Sequence, residues 1–259
     1  MPDSSRPVFR ADRVMADRST ERMPVPKAVI FDFFGTLVPV LSLTGHKTVL
    51  RGMAERIGAP AEDFVQQWLA TFSARVTGRY PSVRANIAAI CETLSVPLDP
   101  TFCEKAVALR YAYVRRSVVP RPSAIPTLQS LKAQGLKIGL ITDCSCELPE
   151  IWKETAFAAW FDATIFSSVV GIKKPNAAIY RLAAERLGVS CADCVYVGDG
   201  GSNELTGAKA VGMRPVLLLV SEEQGSQDTH RMDGQAWDGP CVTELSELCS
   251  LITSQDRNG

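Results

Sequence analysis

KAVIFDFFGT, residues Lys27–Thr36, begins as an apolar run and ends in an acid, two aromatic residues, a glycine and a threonine. A short continuous apolar run suits a strand buried on both faces, as in a parallel sheet covered by helices. Asp32 then falls at the strand's carboxyl end, the edge at which open α/β sheets hold their ligands. Working outward, the pattern changes twice. From about Leu41 to Val119 the spacing is helical, with helices predicted over Thr48–Ile57, Ala61–Arg75, Val83–Leu94 and Pro100–Arg116 and breaks at 58–60, 78–81 and 96–97. After Pro120, helix and strand signals alternate: helix Ala124–Gln134, strand Lys137–Ile141, helix Leu148–Ala159, strand Ala163–Phe166, helix Asn176–Leu187, strand Cys194–Val197, helix Asn203–Val211, strand Pro215–Val220 and helix Val242–Ile252. The order predicts an α/β protein with a doubly wound, Rossmann-like parallel sheet core and an inserted α-helical cap. The division expected is a loose leader over 1–24, a core of 25–38 and 120–259, and a cap of 39–119. Met15 and Met23 are alternative starts to Met1.

Composition narrows the function. Lys and Arg number 28 against 28 Asp and Glu, with 46% hydrophobic and 22% charged residues. These are globular values, and a zero charge balance argues against nucleic acid as a general partner. No apolar run approaches the roughly 18–20 residues of a membrane span, and the N-terminus shows no signal-peptide core, so a cytoplasmic chain with no membrane partner is expected. The eight cysteines then read as thiols. Cys144, Cys146, Cys191 and Cys194 could together supply four zinc ligands, but their spacing is not a finger pattern, and buried thiols are the favoured reading. Nothing in the sequence speaks to oligomeric state.

Four polar clusters fall at predicted strand ends: Asp32–Thr36, Thr142-Asp143, Lys173-Lys174-Pro175 and Gly198–Glu204. In a doubly wound sheet these ends converge on one crevice, and their convergence carries more weight than any one of them. In their order and contexts, IFDFFGT, the Thr of LITD, GIKKPNAAIY and VGDGGSNELTGA resemble the four motifs of the haloacid dehalogenase superfamily, over about 25–38 and 120–220. The helical block resembles that family's cap. The resemblance implies Asp32 as a nucleophile forming an aspartyl-phosphate, with Thr142 and Lys174 completing the catalytic set. Gly35, Thr142, Asp143 and Lys174 would surround the phosphate. Asp32, Asp199 and the backbone carbonyl of Phe34 would bind Mg²⁺, and Glu204 would support the site by holding a metal-bound water or Lys174. Lys173 is the ambiguous neighbour from which the resemblance selects Lys174, and Pro175 suits the first turn of the next helix.

One position departs from the family pattern. Its phosphatases carry a second Asp two residues after the nucleophile, which protonates the leaving oxygen and then activates water; here that residue is Phe34. General acid–base catalysis is worth about 10²–10⁴-fold. Three readings follow. The first is a Mg²⁺-dependent phosphatase of a small phosphorylated metabolite, using good leaving groups or a surrogate acid such as Asp143 or, less directly, His46. The second is an inactive or weak binding protein of the same fold. The third is a 2-haloacid dehalogenase, whose halide leaves without a proton, although family dehalogenases generally lack the Gly-Asp pair found at Gly198-Asp199. Within the cap, Lys47, Arg51, Arg56, Arg75, Arg79 and Arg84 read mostly as solvated helix-face charges, His46 as a surface residue, and Trp68 and Phe72 as cap core.

Overall fold

The structure, a computed structural model, describes residues 26–220 and 237–253. The expected leader over 1–24 lies outside the described residues. The chain enters through β1 (Ala28–Phe31). Five helices follow: α1 (Leu43–Ile57), α2 (Ala61–Ala70), α3 (Phe72–Val76), α4 (Val83–Thr93) and α5 (Pro100–Ser117). Alternation then runs through α6 (Ala124–Ala133), β2 (Lys137–Thr142), α7 (Glu147–Ile151), β3 (Ala163–Phe166), α8 (Ser167–Val170), α9 (Ala177–Leu187), β4 (Cys194–Gly198), α10 (Glu204–Ala210), β5 (Arg214–Leu218), β6 (Cys241–Val242) and α11 (Glu247–Thr253). The strands form one six-stranded sheet in the order β3-β2-β1-β4-β5-β6, and every pairing is parallel.

β1 is central, and alternate residues serve opposite faces, as the pleat requires. Val29 and Phe31 join the apolar cluster that holds Leu128 and Leu131 of α6 and Leu248 and Ile252 of α11. Ala28 and Ile30 join the cluster of Ile179, Tyr180 and Ala183 of α9 with Leu205 and Ala208 of α10. Burial on both faces explains the continuous apolar run. The helices between β1 and α6 have a core of their own, including Leu50, Met53, Phe64, Trp68, Ile87 and Ala106.

Several expected elements differ. Helix α1 starts at Leu43, because Ser42 caps it by accepting the Gly45 amide at 2.9 Å. The helix expected over Ala61–Arg75 divides at Thr71 into α2 and α3. The helix expected over Leu148–Ala159 shrinks to α7 and a 3₁₀ turn, Trp152–Glu154, and the aromatic residues beyond it fill the core instead. The expected helix Val242–Ile252 begins as β6, with helix only from Glu247. Pro175 precedes the Asn176 cap of α9 and so lies outside that helix's first turn. Cys144 joins one apolar cluster and Cys194 and Cys191 another, so the two cysteine pairs are apart and buried thiols remain the reading.

Candidate active site

The first turn after β1 is built by the backbone. The Leu37 and Val38 amides donate to the Phe33 carbonyl at 2.9 and 3.1 Å, and the Gly35 amide donates to the Val38 carbonyl at 2.9 Å. Gly35 has φ of +90°, which favours glycine, and a Cβ there would collide with Asp199 Oδ2. From the far end of the helical insertion, Arg121 pins this turn by donating to the Thr36 and Gly35 carbonyls at 3.0 and 3.1 Å. The turn therefore holds Asp32 at the sheet's carboxyl edge and leaves space for Asp199 of the loop after β4.

Four charged side chains meet there, all buried: Asp32, Lys174, Asp199 and Glu204. Lys174 Nζ lies 2.5 Å from Asp32 Oδ1 and 2.6 Å from Glu204 Oε2. The other Asp32 oxygen accepts the Thr36 hydroxyl at 3.1 Å. Glu204 is fully engaged by protein donors, since Oε2 also accepts the Tyr196 hydroxyl at 2.8 Å and Oε1 accepts the Gly200 amide at 3.0 Å. Of the two supporting roles weighed for Glu204, these bonds match the holding of Lys174. Lys173, by contrast, is partly exposed. Thr142 is buried at the end of β2, and Asp143 Oδ1 accepts the Lys174 amide at 3.0 Å, leaving Oδ2 buried without a partner.

The charges do not cancel. Burial alone would discharge Lys174, but Asp32 and Glu204 outweigh it and hold its pKa well above the usual lysine value. Burial, reinforced by Asp199 and opposed by Lys174, pushes Asp32 up to about 6. Burial also pushes Glu204 up to about 8, with Lys174 opposing and Asp32 and Asp199 adding to it. Three carboxylates face one ammonium, an excess of two negative charges when all are ionised. Ligand atoms of Asp32, Asp199 and Glu204 come within 4.8 Å of one another. The hard carboxylate oxygens of Asp32 and Asp199, amid more negative charge than Lys174 neutralises, fit a divalent cation such as Mg²⁺, and the absence of a Cβ at Gly35 leaves room for the Asp199 carboxylate beside Asp32.

A cavity adjoins this cluster. Phe34 and Asp143 line it from the sheet side, and His46, Phe72, Arg75 and Arg110 line it from the helical insertion. Three expectations change here. His46 is buried and stacks on Tyr113, with ring centroids 5.9 Å apart, instead of lying on the surface. Arg75 is buried instead of solvated, because α3 is a separate short helix turned toward the cavity. Trp68 is core as expected, but Phe72 faces the cavity. Sequence reading also passed over Tyr196, Arg121, Arg110 and Glu147. Tyr196 carries the one visible signal, a polar-tipped aromatic within the apolar run of β4.

A family model for haloacid dehalogenase-like hydrolases matches residues 26–212. Among curated proteins, the chain is 29% identical over 208 residues to a glyceraldehyde 3-phosphate phosphatase of Methanopyrus kandleri, covering 76% of this chain and 86% of that protein. It is 28% identical to phosphoglycolate phosphatase 1 of Pseudomonas aeruginosa, covering 90% and 88% respectively. Among solved structures, a 2-haloacid dehalogenase of Pseudomonas syringae has the same fold with a TM-score of 0.65 at 23% identity, covering 88% of this chain and 98% of that one. A HAD phosphatase of Thermococcus onnurineus superposes with a TM-score of 0.61 at 23% identity and the same two coverages.

Proposed function

From the premise that this chain belongs to the haloacid dehalogenase-like hydrolases, we propose that it is a Mg²⁺-dependent phosphatase of a small organic phosphate monoester. The observation that carries the reading is the buried cluster in which Asp32 contacts Lys174 and lies close to Asp199, with three carboxylates to one ammonium. A dehalogenase has no evident use for that excess, because its substrate brings one carboxylate and no phosphate to be neutralised. The relatives described as acting on glyceraldehyde 3-phosphate and phosphoglycolate favour a small phosphorylated substrate.

In this reading an Asp32 carboxylate oxygen attacks phosphorus, the bond from phosphorus to the ester oxygen breaks, and an aspartyl-phosphate forms. Water then attacks that phosphorus, releasing inorganic phosphate and restoring the carboxylate. Asp32, Asp199 and the Phe34 carbonyl would hold Mg²⁺, which when bound neutralises charge between the phosphate and the carboxylates. Lys174, fixed by Glu204 and Tyr196, pairs with a phosphate oxygen and with Asp32. Thr142 and the backbone around Gly35 donate to the others, and Asp143 orients the Lys174 segment through its amide. Phe34 leaves the departing oxygen without a proton donor at that position, so good leaving groups turn over fastest.

The test is phosphate release from p-nitrophenyl phosphate with and without Mg²⁺. Release that requires the metal and disappears in Asp32→Asn is the expected result. Intact phosphate binding with no release under any metal condition would instead favour the binding-protein reading, and halide release from 2-haloacids would favour the dehalogenase.

A further inference from the structure

The cavity beside Asp32 contains two buried guanidinium groups that nothing in the phosphatase chemistry uses. Arg75 and Arg110 are 4% and 5% exposed. Arg75 donates through Nη1 to the Trp68 carbonyl and, at 2.7 Å, to the Thr71 hydroxyl, which anchors it at the junction of α2 and α3. Its Nε is buried without a partner. Arg110 donates through Nε to Glu147 at 2.7 Å, and its Nη1 is likewise buried without a partner. Both guanidinium groups approach the Trp68 ring, with the Arg75 guanidinium carbon 4.9 Å and that of Arg110 5.4 Å from its centroid. A buried donor left unpaired costs about 1–3 kcal/mol, and more when it is charged. Two such donors sharing one cavity mark a place where an acceptor is missing.

The charge count gives the acceptor its character. The charged groups lining the cavity are Arg75, Arg110, Asp143 and Glu147, which cancel, with Glu147 paired to Arg110 and Asp143 bonded to the Lys174 amide. Burial first, and then the neighbouring Arg110, press the Arg75 pKa down to about 9, with Glu147 only partly opposing. A single carboxylate matches the planar fork of a guanidinium and adds one negative charge to this balance, whereas a second phosphate dianion adds two. Phe34, two residues after Asp32, and Asp143, which accepts the Lys174 amide, line the same cavity as the arginines and so place it next to the reaction centre.

We propose that Arg75 and Arg110 form a carboxylate subsite, and that the preferred substrate is a small phosphorylated carboxylic acid. The proposal rests on the phosphatase reading for its phosphate end, while the subsite rests on the cavity alone. The Trp68 ring makes cation–π contact with both guanidinium groups, which restrains them and lowers the entropy lost when the carboxylate docks.

Three substrates of equal carbon count test this: 3-phosphoglycerate, glyceraldehyde 3-phosphate and glycerol 3-phosphate carry a carboxylate, an aldehyde and a hydroxymethyl at the same end. With the full chain and Mg²⁺, kcat/KM should favour the acid by at least about tenfold over the other two, mainly through KM. 1,3-Propanediol bisphosphate, in which a second phosphate replaces the carboxylate, should fall below the acid. In Arg75→Gln the ratio of acid to alcohol should collapse toward one, and Arg75→Lys should restore part of it. A wild-type ratio of one or below, a bisphosphate preferred over the acid, or an unchanged ratio in a folded Arg75→Gln protein would each overturn the subsite. Should Arg75→Gln fail to fold, the wild-type ratios decide. Should p-nitrophenyl phosphate show no turnover, the phosphatase reading has failed separately. The subsite is then read from thermal shifts, where 3-phosphoglycerate must stabilise the wild type more than glycerol 3-phosphate does.

Discussion

In the proposed phosphatase, Phe34 stands where the family pattern has its second Asp. Its ring meets Phe33 edge to face at 5.1 Å, and Phe33 in turn packs on Trp152 and Phe157, so the position belongs to an aromatic stack at the cavity wall. An edge-to-face pair is worth about 0.5–1.5 kcal/mol, so the ring adds rigidity where a carboxylate would add chemistry. Phe34→Asp should therefore destabilise the protein slightly while raising kcat on alkyl phosphates by about 10–100-fold. On p-nitrophenyl phosphate, whose leaving group needs little protonation, the gain should be several-fold at most. Steady-state kinetics on the two substrate classes checks this, and an equal effect on both would mean that the missing acid does not limit the reaction. The residues that surround Asp32 were legible to different degrees. Lys174 and Asp199 sit at strand ends, where local pattern and order point to them. Tyr196 and Arg121 contribute through bonds to Glu204 and to the turn after β1, and that pairing exists only once β1, β4 and the start of α6 are assembled.

At the scale of elements, the Arg110–Glu147 pair ties α5 to α7 and so fastens the helical insertion to the sheet layer. Burial by itself would raise the Glu147 pKa, yet Arg110 and the nearby hydroxyl of Ser145 more than reverse it and hold Glu147 near 2. A depressed carboxylate contributes stability above its unfolded pKa of 4.5 and loses it as pH falls through about 2. The shift corresponds to roughly 3 kcal/mol, the scale on which a broken buried pair is felt. Glu147→Gln should then lower the urea midpoint at pH 7 clearly. The gap between variant and wild type should narrow as the pH falls below 4.5, which equilibrium unfolding at pH 7, 4 and 2.5 can follow. The same elements show why the sequence was read unevenly. The strands from β1 to β5 announced themselves because burial on both faces leaves an apolar run. β6 has only two residues at the sheet edge, and α7 breaks off because Trp152 and Phe157 are drawn into the core. Arg75 looked like a solvated helix charge because helical spacing alone cannot reveal that α2 stops at Thr71.

Across the whole molecule the charges sum to zero, but that balance is not kept locally. At the carboxyl edge of the sheet three carboxylates crowd one ammonium, whereas the neighbouring cavity sets two arginines beside Glu147 and Asp143. Such an arrangement suits a ligand that is anionic at both ends and brings its phosphate against a divalent cation. It also makes the metal-free fold strained in a pH-dependent way. Asp32 and Glu204 have folded pKa values of about 6 and about 8, above their ordinary values of 3.8 and 4.5. A raised carboxylate binds its proton more tightly in the folded state, so its contribution is complete below its unfolded pKa and is lost as pH rises through its folded pKa. Lys174 stays charged throughout that window and leaves the sign unchanged. The metal-free protein should accordingly lose stability between about pH 4 and pH 8. Mg²⁺ competes with those protons, so the rise in Tm on adding it should be small at pH 5.5 and large at pH 8, where the stabilisation approaches about 2.7 kcal/mol at a hundredfold excess over Kd. Asp199→Asn removes one of the crowded charges. It should raise the metal-free Tm at pH 8 and abolish the Mg²⁺-dependent rise, exchanging function for stability. Thermal unfolding of both proteins at the two pH values, with and without Mg²⁺, reads all of these effects. A Mg²⁺ shift that survives Asp199→Asn would move the cation away from this cluster, and with it the reason for the uneven charge.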